Sequence, residues 1–540
     1  MPVQGNLSVL PMLCTRLTIA VLLASVLLPV TELQKVQSWA IRIKPDGSVE
    51  PLGAPIAREG NVYTLLADLN VAGDGVIVEK SGVVLNGNGH LLKGNGTGTG
   101  IHLKGVTSVV VKDLRVDGFR YGLSINKSVG ISLVNVSATL SRVGVGIINS
   151  SDILVEASIF QNCMVGVFVE ESFRCRLLNN FFKECGLYVR SSFGNVVEGN
   201  VVNGKPLVYL EGAQGGNVSG EVGQVVLVQC RNITVSAEVS AATVGVLVSE
   251  CEQSKIIGLN VTSCVIGVDL WRTSSCVIDA GSFKGNEVGL RLVESRNNLV
   301  ANSQFTGNAH GVYAERSNGN VVRDCLVGDS TIAGIRLVNS SGNRIEGCIF
   351  WRNERGLYLN VYSTSNEFLY NDFIENSAHA LVEGCGFNLW DDGRRGNFWD
   401  DYTVRYSDAS REGDAWSDPY TLGEGNADMH PSALPYRVVR VDASSPYGEV
   451  RGSGWYPKGF TVLITVWPTR HAIMVFDHWE HNGGILSKDP CLVLTIEEHV
   501  ELRAVWRVDL ASIIIITAVL LSFALIPFML GKLKRRRRAS

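Results

Sequence analysis

Sulfur is scarce in these 540 residues: twelve cysteines and six methionines, with no CxxC pair among them. That excludes a disulfide-dense scaffold and offers no finger-type zinc site. Basic charge is almost as scarce. The formal net charge is −4, yet Lys532, Lys534, Arg535, Arg536, Arg537 and Arg538 alone carry six positive charges, leaving the preceding chain ten negative. Without a basic stripe no nucleic-acid partner is expected. Glycine-rich runs occur at Asn86-Gly-Asn-Gly and Gly94-Asn-Gly-Thr-Gly-Thr-Gly, but no Lys-Ser/Thr follows, so they read as turns and not as a phosphate loop.

What the chain has is a period. Glycine followed by alternating aliphatics returns as Gly245-Val-Leu-Val, Gly267-Val-Asp-Leu, Gly289-Leu-Arg-Leu, Gly311-Val-Tyr-Ala, Gly334-Ile-Arg-Leu, Gly356-Leu-Tyr-Leu and Ala380-Leu-Val, at intervals of 22, 22, 22, 23, 22 and 24 residues. Within each unit the apolar period is two, so the units are short strands that bury their faces by stacking. A second column of small polar residues precedes the glycines: Asp113, Asn135, Ser158, Asn180, Asn200, Asn260, Gly281, Ser303, Cys325, Cys348 and Asn371. Stacked one coil apart, about 4.8 Å, such amides would form a hydrogen-bonded ladder.

These repeats resemble the right-handed parallel β-helices of the NosD-like, carbohydrate-associated family. The resemblance implies a right-handed parallel β-helix; dividing the span by the period gives about 13 coils, and the residues that follow read as a small β-sandwich and a C-terminal transmembrane helix, so an all-β chain is expected apart from that helix. The expected order is a signal peptide (1–40), an N-terminal cap (41–75), the β-helix (76–390), a closing motif (391–435), the β-sandwich (436–508), the transmembrane helix (509–531) and a basic cytoplasmic tail (532–540).

Columns one coil apart generate the site expectations. Cys163 with Cys185, and Cys325 with Cys348, share columns at a spacing a disulfide tolerates, although stacked thiols are the simpler reading. Glu250, Arg272, Glu294 and Arg316 alternate in sign and predict a surface salt ladder. Phe168, Tyr188, Asp269, Arg291, Tyr313, Arg336 and Tyr358 lie between the two aliphatics of successive glycine strands. If outward-facing, they form a strip of rings and hydrogen-bonding charges of the kind that binds sugars. Within it, Asp269 and Arg291 are weak catalytic candidates, since a pair of this type is usually a salt bridge.

The closing segment Gly396-Asn-Phe-Trp-Asp-Asp-Tyr, with Trp390, Trp416 and Tyr420, is similar to the family's closing motif, and its rings would cover the last coil. The motif's acidic loop implies calcium, which Asp408, Glu412, Asp414 and Asp418 offer in degraded form. The family name raises copper, but His, Met and Cys gather nowhere in the sequence. His471, His478 and His481 lack further zinc ligands at recognisable spacing.

From 436 onward five alternating strands with glycine turns resemble the small β modules of microbial surface proteins. Residues 510–530 carry no charge and suffice to cross a bilayer; the basic tail places them as a single-pass anchor with the solenoid outside the cell. Arg16 and the apolar run 17–30 read as a signal peptide. Sequons at Asn95, Asn126, Asn149, Asn217, Asn232 and Asn339 suit glycosylation, whereas Asn135 and Asn260 are expected to be buried in the ladder. Three functions remain: a cell-surface glycan-binding, adhesive or envelope-structural protein whose partners are envelope polysaccharide or surface-layer proteins; an anchored polysaccharide lyase or glycoside hydrolase; and an accessory protein for copper-enzyme maturation, as the resemblance implies.

Overall fold

The computed structural model describes residues 39–468 and 473–536. The expected signal peptide lies outside them apart from Trp39 and Ala40, as do His471 and the last four residues of the basic tail. The chain divides into two compact units, 1–207 and 208–540.

In the first unit Ile41–Ile43, Val76–Val78, Thr99–Lys104, Tyr121–Asn126, Val143–Ile148, Val165–Glu170 and Leu187–Arg190 pair in parallel, each with the next. The second unit continues the same pattern in eight strands, from Gln224–Val228 to Ala378–Glu383. Together they make about fifteen turns, against about thirteen expected. Part of the excess is the Ile41–Ile43 turn, which falls in the stretch read as a cap.

Registers such as Gly-phrase to Gly-phrase are those the period requires: Leu290 lies opposite Val312, and Arg291 opposite Tyr313. A Cβ built on Gly289 would stand 2.7 Å from the Gly311 carbonyl and 2.9 Å from the Phe305 ring, so the wall there closes to backbone distance and only glycine fits. Two short strands complete most coils, one long strand such as Val110–Asp117, Ser132–Thr139 or Arg231–Ser240 completes others, and inward-facing rings stack along the axis, Phe283 on Phe305 at 4.8 Å and Phe350 on Phe373 at 4.7 Å.

Amide ladders hold the corners. Cys276 N donates to Asn298 Oδ1 at 2.9 Å, Asn298 N to Asn320 at 3.0 Å, Asn320 N to Asn343 at 2.9 Å, Asn343 N to Asn366 at 2.9 Å, and Asn366 N to Asn388 at 3.0 Å. From Asn298 to Asn366, each Nδ2 also donates to the next Oδ1. The corner would otherwise leave a buried N–H unsatisfied in every turn, which costs about 1–3 kcal/mol per group. Serine does the same along Ser128, Ser150, Ser172 and Ser192.

The ladder read from the sequence slips by one residue in two places. Asp113 and Asn135 occupy left-handed corners, at φ 54° and 53°, and Asn260 opens a strand; Asn135 and Asn260 are exposed. The internal positions are instead Val136 and Leu259, whose side chains face the core. Asn135 and Asn260 are therefore surface sequons, not buried ones. From Ser158 through Asn180 to Asn200 the expected ladder is present, at 3.0 Å per step.

The closing motif extends the ladders past the last coil. Asn371 N donates to Asn397 Oδ1 at 3.0 Å, and Asn397 N to Asp428 Oδ2 at 2.7 Å. Trp399 stacks on Phe373 at 4.3 Å, Tyr420 on Trp399 at 4.1 Å, and Trp390 on Phe368 at 4.4 Å. Phe398 faces the opposite way and packs with Leu326, Ile349, Ile374 and Val438.

That second cluster joins the solenoid to the β-sandwich. The sandwich has eight strands in two sheets where five strands were expected, around Val441, Ile464, Trp479, Ile496 and Leu502. Trp351 of the solenoid packs on Tyr456 and Phe460, Arg437 pairs with Asp324 at 2.8 Å, and the buried Asp372 carboxylate accepts from Tyr436 N and Arg437 N at 2.8 and 2.6 Å. The chain then enters a helix, Leu510–Arg536, whose first turn is held by Asp509 through Ala511 N and Ser512 Oγ. It is the one helix among the described residues long and apolar enough to cross a membrane, as a membrane anchor requires.

Two measurements test this account of stability. Asn343→Ala removes the acceptor for Asn320 N and Nδ2 and a donor to Ser317 O. It should cost roughly 2–4 kcal/mol and lower hydrogen-exchange protection in the adjoining turns, whereas Asn217→Ala, exposed on an extended strand, should change neither; equal behaviour of the two contradicts the ladder. Burial pushes the Asp372 and Asp428 carboxyls up to about 7 despite their N–H donors. The folded chain thus keeps protons that the unfolded chain releases near 4, a stabilisation lost as pH rises from about 4 through 7. The melting temperature of Asp428→Asn should therefore fall less from pH 5 to 8 than that of the unsubstituted chain; parallel slopes would rule this out.

Candidate functional site

The outward residues of the glycine strands sort into two groups, one in each unit. In the first, Phe168 and Tyr188 lie in register with ring centroids 5.6 Å apart. In the second, Asp269, Arg291, Tyr313, Arg336 and Tyr358 are paired in unbroken register over five strands. Asp269 does not belong to an open strip, as the sequence reading had it. It is fully buried, beside the equally buried Leu247 and Trp271, and its two oxygens accept from Arg291 Nε and Nη2 at 3.0 and 2.5 Å. Such a bidentate pair occupies the carboxylate that a catalytic role would need free.

From Tyr313 onward the strip is half-exposed. The Arg336 guanidinium lies between two rings, 5.8 Å from the Tyr313 centroid and 4.8 Å from that of Tyr358, and Arg355 stands 5.5 Å from the Tyr358 centroid. Tyr358 Oη donates to Glu383 at 2.7 Å. His310 borders Tyr313, and burial together with the neighbouring Arg336 charge pulls its pKa down to about 4, so its ring is neutral at physiological pH.

A second concentration of chemistry went unread in the sequence, because its parts lie about twenty residues apart. His379, on the last glycine strand, meets Asp400 and Asp401 of the closing motif at 2.9 and 3.3 Å. They line a cleft of about 350 Å³ with Asn376, Arg405, Tyr420 and Thr421. Burial opposes charge on His379, but the hydrogen bonds to Asp400 and Asp401 outweigh it and raise its pKa. Burial likewise opposes ionisation of Asp401, and His379, Tyr420 and Arg405 together outweigh it and lower its pKa.

The other expected sites fare differently. Asp408, Glu412, Asp414 and Asp418 are exposed and do not converge: Asp414 pairs with Arg411, while Glu412 and Ala415 face each other across a hairpin. The calcium set is thus not assembled among the described residues, where the loop folds as a hairpin that turns at Gly413-Asp414. Arg272, Glu294 and Arg316 form the expected salt ladder, at 2.8 and 3.3 Å, without Glu250. All four column cysteines are buried free thiols, and so are Cys230 and Cys251, a third pair missed because its interval is 21 residues. Asn95, Asn149, Asn217, Asn232 and Asn339 are exposed; Asn126 is half-buried, with its side-chain oxygen shut off from solvent.

The family model described as periplasmic copper-binding protein (NosD) matches residues 68–220 and 213–404. This chain belongs to the NosD family. A curated relative, the probable ABC transporter binding protein NosD of Pseudomonas aeruginosa, is 29% identical over 147 residues. The match takes in 26% of this chain and only about a third of that protein, 32%. Among solved structures, the mannuronan C-5 epimerase AlgE6 A-module of Azotobacter vinelandii is 13% identical, with 62% of this chain and 86% of that one covered at a TM-score of 0.23. The periplasmic alginate epimerase AlgG is 12% identical over 62% and 78%, with a TM-score of 0.24. At scores this low these likenesses carry no argument about activity.

The NosD description names copper, which takes imidazole and oxygen donors as copper(II) and soft sulfur as copper(I). Among the described residues three or more metal-capable groups converge only at His379, Asp400 and Asp401. The ladder beneath them opposes a metal. Asn376 Oδ1 accepts from Asn353 N and Nδ2 at 3.0 and 2.9 Å, and Asn376 Nδ2 donates to Phe350 O at 2.8 Å. This fixes the amide so that its N–H side faces His379 Nδ1, at 3.3 Å. In the neutral ring Nδ1 is therefore the acceptor, and the proton sits on Nε2, between the carboxylates. A metal on Nε2 would drive that proton to Nδ1, against another N–H. The cluster does not fit copper.

Asn376→Asp replaces this donor with an acceptor. It should create stoichiometric copper(II) or zinc binding that His379→Ala abolishes, read by metal analysis after dialysis; equally tight His379-dependent binding in the unsubstituted chain would refute the tautomer argument.

Proposed function

We propose that this NosD-family chain is a single-pass membrane protein whose β-helix stands outside the cytoplasm and binds glycan chains along Arg291, Tyr313, Arg336 and Tyr358. The observation behind this reading is the unbroken register of rings and guanidinium groups on one half-exposed face. Stacked turns repeat about every 4.8 Å, so a saccharide chain laid across them meets an apolar face for its ring or a donor for its hydroxyls at each step. The anchor is Leu510–Arg536, with the basic end in the cytoplasm by the positive-inside rule. Envelope polysaccharide is the expected partner.

A second reading is favoured by the His379 cleft, where two carboxylates, a histidine and an arginine share one opening. There the chain would be an anchored glycoside hydrolase or polysaccharide lyase, with one carboxyl as acid and the other as base. Release of reducing ends or unsaturated sugars that disappears in Asp401→Asn would decide for it.

The binding reading is tested with full-length chain in detergent on a glycan array, followed by calorimetry. Tyr313→Ala and Tyr358→Ala should each weaken the bound glycan by roughly 3- to 10-fold, the worth of one ring contact. Affinities unmoved by both substitutions would refute the strip.

A further inference from the structure

Arg336 lacks the acidic partner that arginines of neighbouring turns have. Arg291 is committed to Asp269, Arg272 and Arg316 to Glu294, and Arg344 to Glu346 and Glu367. Among the described residues Arg336 forms no ion pair, and its Nε is shut off from solvent with no hydrogen-bond partner. Arg355, which flanks the same Tyr358 ring, donates only to the Ile332 carbonyl, at 3.3 Å. Two acids of the neighbouring strand ends are engaged elsewhere: Glu383 accepts from Tyr358 Oη and Glu315 from Tyr313 Oη. His310 adds a neutral ring whose Nδ1 is also buried and unpartnered.

The Nε is out of a ligand's reach, but among the described residues the Nη groups of this half-exposed side chain have no bond within the chain, so an acceptor supplied by a ligand meets them directly. The rings of Tyr313 and Tyr358 hold the guanidinium plane in place, so little freedom is lost when a planar anion docks against it. The fork of an arginine matches a carboxylate with two parallel hydrogen bonds, which a neutral hydroxyl cannot reproduce.

We propose that Arg336, seconded by Arg355 and flanked by Tyr313 and Tyr358, is an anion subsite that selects uronate-bearing polysaccharides over neutral ones. The inference rests on the glycan-binding reading and adds the chemical class of the ligand. Arg336 binds the uronate carboxylate while the tyrosine faces carry the pyranose rings. Arg291, two turns away and neutralised by Asp269, offers N–H groups to hydroxyls without adding a second free charge.

The test uses full-length chain in detergent and three probes of matched length: an oligouronate, a sulfated oligosaccharide and a neutral oligoglucan. The oligouronate should bind most tightly. Arg336→Gln should weaken it by about tenfold or more, Arg336→Lys by less, and Arg355→Gln by a smaller factor, while the neutral glucan, which loses only one hydroxyl donor, should weaken by no more than about threefold. Melting temperatures confirm folding of each variant. If the tyrosine substitutions weaken the oligouronate but Arg336→Gln and Arg355→Gln do not, the subsite is wrong and the strip survives. If no probe responds to any of the four positions, the strip fails with it. Binding confined to the sulfated probe, and lost in Arg336→Gln, overturns the carboxylate assignment.

Discussion

The hydrogen bond from a backbone N–H at a coil corner to a side-chain oxygen one turn onward is what the rest of this molecule depends on. A parallel β-helix satisfies its strands by pairing, but its corners turn buried N–H groups away from any strand. Asn298, Asn320, Asn343, Asn366 and Asn388 answer them in one file, and Ser128, Ser150, Ser172 and Ser192 in another. Because each amide is both acceptor below and donor above, the file sets the register of every coil it crosses. That register puts Arg291 under Tyr313 and Arg336 under Tyr358. The outer strip is thus positioned by inner amides that never touch it.

The closing motif uses the same device to stop. Asn397 and Asp428 continue one file, Asn426 takes up another from Asn388 at 3.0 Å, and Trp399 and Tyr420 continue the ring stack. One further amide, Asn376, reaches beyond the interior and presents its N–H to His379. A structural file thereby decides the tautomer of an imidazole at the edge of an open cleft and leaves it unsuited to a metal. The β-sandwich is docked on the flank of the last coils through Trp351, Arg437 and Asp372, so the second unit carries its module as packed mass and not as a loosely tethered bead.

The sequence made the repeat legible because glycine is required wherever the next turn's carbonyl comes within van der Waals reach, as at Gly289, and that demand recurs every coil. It made the polar column only partly legible. Corner residues in the left-handed conformation are also asparagine and aspartate, so Asp113 and Asn135 pass for ladder members when they are one residue out of step. The strip was readable as a column, but not the burial of Asp269, which depends on neighbours in three dimensions. The His379 cleft was invisible, since it joins a strand to the closing motif and follows no period. Calcium was implied by the likeness of the acidic loop to the family's closing motif, and in this chain that loop folds as the hairpin of Arg411–Glu412 with Ala415–Trp416.

The most direct measurement is an experimental structure of the full-length chain at a resolution that orients side-chain amides. The account predicts that Asn298, Asn320, Asn343, Asn366 and Asn388 stand in one buried file, each Oδ1 about 3 Å from the backbone N of its predecessor, with Arg336 between Tyr313 and Tyr358 on the opposite side of the sheet wall. Asparagines turned to solvent, or a register in which Arg291 and Tyr313 are not neighbours, would contradict it.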